Sequence, residues 1–189
     1  MDVDAWNRVR AERAVSSQIV LARLHDVGLD IAGVERLSDV RPSLSPTATQ
    51  VVLELMHDQT IERFTRQFLA RGLEAATKTV SWDELVELYL RTSDPDLEEG
   101  LAAAIDKRAG KKNYTALVEL VTDRAAAKTA SQFFLAKIRR FGGEDGRKLL
   151  ESLVFDQHFG WTAYHMLTGR ESWPPPADWS YPKSRRPKG

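Results

Sequence analysis

The residues in this chain best suited to metal or proton chemistry are its four histidines, and two of them, His158 and His165, share one stretch of helical pattern. Their spacing is two helical turns, which puts both rings on one face but about 10 Å apart along the axis. A single zinc ion holds its nitrogen ligands at about 2.0–2.1 Å, so this pair cannot share one, and the i,i+4 spacing that could is missing. His25 or His57 would have to be brought in by the fold. The expectation is one histidine at the surface and one satisfied within the last helix pair, with no metal and no cofactor. There is no cysteine, which excludes disulfides, thiol catalysis and thiolate-bound metal. No Gly-x-Ser-x-Gly elbow is present for an activated serine. Gly142-Gly143-Glu144-Asp145-Gly146 lacks the downstream Gly-Lys-Ser/Thr of a phosphate loop, follows no strand, and carries acids that would repel phosphate. It reads instead as a helix stop followed by a helix start. No residue is assigned a catalytic role.

The chain that must position these residues is long enough for one domain with a real core. Its 42% hydrophobic and 29% charged residues are ordinary for a soluble protein. Acids and bases balance, 27 against 27, whereas nucleic acid and anionic membranes select an excess of Lys and Arg. The acidic opening Met1-Asp2-Val3-Asp4 lacks the basic-then-apolar order of a signal peptide. No apolar run approaches the roughly 18 residues of a membrane helix. These features predict a cytoplasmic, bacterial-type protein with no membrane partner.

Helical punctuation then organises the sequence. Leucine-rich helices containing Leu53–Asp58, Leu85–Leu90, Leu117–Asp123 and Leu150–Asp156 are each followed by a second helix. The second helices run out at Gly72, Gly110, Gly142 and Gly169, and the turns recur roughly every 30 to 35 residues, the range of helical solenoids. Residues 1–28 read as an N-terminal helix with apolar positions Trp6, Val9, Ile19, Val20, Leu21 and Leu24, stopped by Gly28. Residues 29–45 read as a connector with a helical turn at Val34–Leu37. Helix pairs follow at 46–72, 81–110, 113–142 and 144–169, within a single domain 1–169. Ser45-Pro46, Ser81-Trp82-Asp83-Glu84 and Asp94-Pro95 are helix-start signals: a capping side chain followed by Pro, or by Glu three residues on. In the third pair, Leu117, Val118, Leu120 and Val121 should line one helix, and Phe133, Phe134, Leu135 and Ile138 the other, near 125–140. No segment alternates with a period of two, so no sheet is predicted. The Pro- and Trp-rich stretch 170–189 reads as an extended tail. Its Trp173, Trp179 and Tyr181 are expected to fold back over the last pair, with docking to another protein or disorder as the alternatives.

The pattern Trp82-x-x-Leu85-x-x-Leu88-Tyr89, then Asp96-x-x-Glu99-Gly100-Leu101-Ala102-x-Ala104-Ile105, resembles bacterial HEAT-repeat proteins of the ARM-type superhelical fold. Leu117-Val118-x-Leu120-Val121-x-Asp123-Arg124, Leu149-x-x-Leu153-x-x-Asp156 and the lead-in Leu24-His25-Asp26-Val27-Gly28-Leu29 extend the likeness over about residues 20–168. The resemblance implies an all-α fold, a short right-handed α-solenoid of about four helix pairs. It also implies an interaction scaffold with no catalytic residues to carry over. In such a solenoid the second helices form the exposed concave row. The ordinary reading of Glu62, Arg63, Arg66 and Gln67, of Glu98, Glu99 and Asp106, and of Lys128, Gln132 and Arg139 is a solvated helix face. The functional reading is a mixed-charge groove that binds a protein or peptide through Arg63, Arg66, Gln132, Arg139, Trp161 and His165, since Arg and Trp dominate interface energetics. Two alternatives stand beside it. One is nucleic-acid binding through the groove and the basic end Lys183, Arg185, Arg186 and Lys188, including a likeness to HEAT-like DNA glycosylases through Trp82-Asp83 and Trp161. The other is an immunity-type protein that neutralises a toxin. Neither partner identity nor oligomeric state follows from the residues.

Overall fold

The computed structural model describes residues 3–123 and 127–168. The aromatic tail 170–189 and its expected packing lie outside the described residues. Every regular element among those residues is helical, and none is a strand. No described helix is long and apolar enough to cross a membrane. Contacts divide the stretch read as one domain into two compact units, Met1–Arg108 and Ala109–Gly189.

The first unit contains α1 (Val3–His25), a 3-10 turn at Val34–Asp39, α2 (Pro46–His57), α3 (Arg63–Gly72), a 3-10 turn at Leu73–Ala75, α4 (Trp82–Arg91) and α5 (Pro95–Arg108). The start signals act locally as their chemistry demands. Ser45 accepts from the Ala48 N–H with Pro46 at the first helical position. Ser81 and Glu84 complete a capping box. Asp94 accepts from the Asp96 N–H to open α5.

Two hairpins, α2/α3 and α4/α5, result, and α3 packs closely along α5. Gly100 permits that approach: a Cβ there would sit 2.5 Å from the Gln67 carbonyl oxygen and 2.8 Å from Ala70 Cβ. Leu69, Ala70 and Leu73 on one side, and Leu97, Leu101 and Ile105 on the other, are buried. Each large apolar side chain removed from water contributes about 1.5–3 kcal/mol.

α1 departs from expectation. Val20 and Leu24 are buried, but Trp6, Val9 and Ile19 are exposed. The reason is length. At about 1.5 Å per residue, the 23-residue α1 far outreaches the 12-residue α2 and 10-residue α3. Its first half, with Trp6 and Val9, therefore runs beyond what it packs on, whereas Ile19 lies off the buried Ser16, Val20 and Leu24 stripe of the second half.

The second unit contains a 3-10 turn at Lys111–Asn113, α6 (Tyr114–Thr122), a 3-10 helix at Thr129–Phe134, α7 (Leu135–Leu153) and α8 (Gly160–Thr168). The continuous helix expected near 125–140 is replaced over Thr129–Phe134 by the tighter 3-10 form. There the Ser131 N–H donates to the Lys128 carbonyl, and the Lys128 N–H donates back to Ser131 Oγ. α7 is two helical segments joined at Gly143, where the backbone leaves helical geometry, φ 55° and ψ −121°, a conformation that glycine adopts most readily; the stop and restart expected at Gly142-Gly143 fall at this kink. Leu117, Leu120, Val121, Phe134, Leu135 and Ile138 are buried as the apolar pattern predicts, whereas Phe133 is exposed.

Candidate functional site

An open apolar surface in the first unit lies where the overhanging half of α1 faces the start of α3. Asp58 organises the turn that leads into α3. Its carboxylate accepts from the Thr60 hydroxyl and the Thr60 N–H, and these bonds hold its pKa below the ordinary value. The turn drives Ile61 into the core. It then presents Glu62, whose carboxylate accepts from the Phe64 and Thr65 N–H groups and caps α3. The Glu62 N–H in turn donates to Ser16 Oγ of α1 at 2.9 Å. That bond, buried at Ser16, fixes where α1 crosses the turn.

Above it opens a groove of about 940 Å³, lined on one side by Val9, Glu12 and Val15 of α1 and on the other by the 59–66 segment. Val15 is 57% exposed and Trp6, one turn from Val9, 53%. The opposite wall carries the Phe64 ring, on which an arginine from each helix rests. Arg13 and Arg63 both lie over the Phe64 ring, at 5.6 and 4.5 Å from its centre, and Arg13 also lies 5.1 Å from Phe68. Such cation–π contacts are each worth about 0.5–1 kcal/mol at exposed sites. They orient the two exposed guanidinium groups beside the groove.

Of the residues expected on the second-helix face, Arg63 borders this groove, exposed and 3.9 Å from Asp96. Arg66 does not lie free on that face. Its side chain is only 8% exposed, and Nη1 donates to Asp94 at 2.5 Å. The expectation of a solvent-facing Arg66 is corrected. The residue turns inward because Asp94, at the start of α5, is brought beside α3 by the hairpin stacking, and it ties the two hairpins together. Burial works to raise the Asp94 carboxyl, but the hydrogen bonds from Arg66 and the Asp96 N–H, with the Arg66 charge, hold it below its ordinary value. Glu62, likewise expected in solvent, is the α3 cap.

The remaining residues expected to bind a partner, Gln132, Arg139, Trp161 and His165, belong to the second unit and gather around α8. Gln132 Oε1 accepts from the Thr162 hydroxyl at 3.3 Å. Arg139 donates to the Met166 carbonyl in the last turn of α8, where a cation meets the negative end of the helix dipole. Trp161 and His165 meet edge-to-face with ring centres 3.9 Å apart, both half-buried. His158 donates its backbone N–H to Asp156. Among the described residues no group of three or more His, Asp or Glu could hold a metal ion.

The α1 wall of the groove, Val9, Glu12 and Val15 with Arg13, was not among the residues singled out by repeat logic. Apolar Trp6 and Val9 marked a helix face there, but not that it would be left uncovered. Compared with known protein families, curated proteins and solved structures, the chain matches none.

Proposed function

We propose that this chain is a non-enzymatic binding protein for a peptide segment of another protein, seated between α1 and the start of α3. One observation carries the reading. A 940 Å³ groove is rimmed by exposed aliphatic side chains of α1 and walled by Phe64 under two guanidinium groups. Clustered exposed apolar side chains bordered by charge mark interaction surfaces, and aromatic and Arg side chains are the groups that most often carry binding energy. Val9, Val15 and Phe64 would receive an apolar anchor of the peptide, while Arg63, Glu12 and Glu62 would select its polar flanks. The stacking of α2/α3 on α4/α5 through α3 and α5 supports a HEAT-like arrangement in this unit. In that reading Arg63 belongs to the second-helix face and Arg66 is its fastening. Gln132, Arg139, Trp161 and His165 would then serve the second unit's own surface around α8.

The test is a photo-crosslinking residue placed in the full chain at Val15, or at Glu87 on exposed α4 as control, in native lysate. A discrete protein adduct should form at Val15 and not at Glu87. A peptide from the crosslinked segment should bind the purified chain, and Phe64→Ala should weaken that binding about tenfold or more, the scale of a lost aromatic anchor. Equal labelling at both positions, or a peptide indifferent to Phe64→Ala, would sink the reading.

A further inference from the structure

A second cavity in the first unit, away from the groove, concentrates positive charge in an otherwise neutral chain. It holds about 280 Å³ and is walled by Arg41, Glu74, Thr77, Lys107 and Arg108. Its frame is rigidly bonded. The Leu44 N–H and the Ser43 hydroxyl both donate to the Ala75 carbonyl, and the Lys78 N–H donates to Ser43 Oγ. These bonds hold the connector that carries Arg41 against the segment that carries Glu74 and Thr77. The end of α5 packs on the same segment and delivers Lys107 and Arg108.

The three cations are poorly matched within the protein. Arg108 donates from Nη2 to the Val80 carbonyl at 2.8 Å, but its Nη1 is buried with no hydrogen-bond partner. Burial pushes the Arg108 pKa down, the sign of a charge that lacks compensation. Arg41 donates only to the carbonyls of Ser38 and Val40. Among the described residues none of Arg41, Lys107 and Arg108 forms an ion pair within 4.0 Å.

Glu74 is the one carboxylate in the wall, so the cations hold an excess of two charges. The negative end of α5 offsets about half a charge of that, which leaves the cavity positive. Arg71 and Asp39, outside the wall, also act on Glu74, with opposite signs.

We propose that this pocket binds a phosphate-type oxyanion, the phosphate monoester group of a small molecule. A dianion with several acceptor oxygens meets two guanidinium forks and an ammonium better than a carboxylate does, because planar Arg donors match phosphate geometry and Lys adds a point charge. The volume lies at the small end of ligand sites, so it admits the phosphate with a short substituent. Glu74, whose pKa is raised by burial against the pull of Lys107, Arg71 and Arg41, sits where protonation would remove its repulsion and add a donor to the phosphate oxygens.

The experiment is calorimetric titration of the full chain with inorganic phosphate, ethyl phosphate and acetate at matched ionic strength. Phosphate and ethyl phosphate should bind saturably and acetate at least tenfold more weakly. Lys107→Glu and Arg41→Glu, both at exposed side chains and checked for unchanged melting, should each weaken phosphate at least tenfold. Glu74→Gln should retain or tighten it. Heats no different from sodium chloride, acetate binding as tightly as phosphate, or phosphate binding unchanged in Lys107→Glu would each overturn the proposal. The last outcome would also assign any binding to basic residues elsewhere in the chain.

Discussion

In the first unit two helices meet backbone to backbone at Gly100; in the second, one long helix changes direction at Gly143. The first unit then adds a buried ion pair, Arg66–Asp94, across its hairpins. Among the described residues of the second, the pair Arg147–Glu151 lies within one helix and is open to water. Arg63 and Arg66 act within the first unit on partners from the next hairpin. Gln132 and Arg139 act within the second to fasten α8. Glycine and arginine thus do different work in the two places: contact and cross-linking in one, conformation and helix-end binding in the other. The same residue types at similar repeat positions do not have the same role, because the neighbour that approaches them decides it.

Substitutions can break this contrast, starting with the largest effect. Gly100→Leu should cost about 3 kcal/mol or more, because the added side chain meets backbone atoms of α3 that cannot yield without separating the helices. Gly143→Ala should cost only about 1–2 kcal/mol: no atom lies within 4 Å of its would-be Cβ, and the penalty is the positive φ alone. Urea melts of both variants measure the difference, and equal losses would refute the distinction between contact and conformation.

Arg66→Met should cost about 2 kcal/mol. That is below the usual penalty for breaking a fully buried pair, because Asp94 retains 24% exposure. Arg147→Ala should cost about 0.5 kcal/mol or less, since both partners are more than half exposed. The Asp94 carboxyl is held below 3.8 when folded, so its stabilisation is complete above that pH and is lost as pH falls through the lowered value. Asp94→Asn should therefore flatten the acid limb of the stability curve below pH ~4. An unchanged limb would show that the pair carries no linkage.

Ser81→Ala should cost about 1 kcal/mol by removing the capping box of α4, read as a lower melting temperature. The smallest change is expected at Glu74. Its folded pKa is raised above 4.5, so its contribution is favourable below that pH and is lost as pH rises through the raised value. Glu74→Gln should slightly stabilise the chain at pH 7 and give no gain near pH 4 in paired thermal melts.

Much of this was legible in the residues, for local reasons. Ser45-Pro46 and Ser81 through Glu84 start helices because a cap and its backbone partners are three residues apart, within reach of any nascent turn. The turn at Val34 and the break at Gly143 follow from short-range patterning and backbone freedom. The 3-10 form of Thr129–Phe134 was not legible, because an i→i+3 and an i→i+4 helix share almost the same apolar spacing over six residues. Exposure at Trp6, Val9 and Ile19 was not legible either. A stripe announces a helix face but not how much partner there is to cover it.

The sequence by itself determined that the described chain is helical, where most of its helices begin, and which side chains are apolar enough to form a core. Those properties are settled by interactions spanning three or four residues. Tertiary structure alone decided that Arg66 is buried and Arg63 is not, that α1 overhangs a groove, and that Arg41 meets Lys107 and Arg108. The physical reason is that charge and apolar area take their roles from what faces them. In this chain the facing groups come from segments far apart in sequence: α5 against α3 at Gly100, α1 against the Glu62 turn, and the Arg41 connector against Ala75.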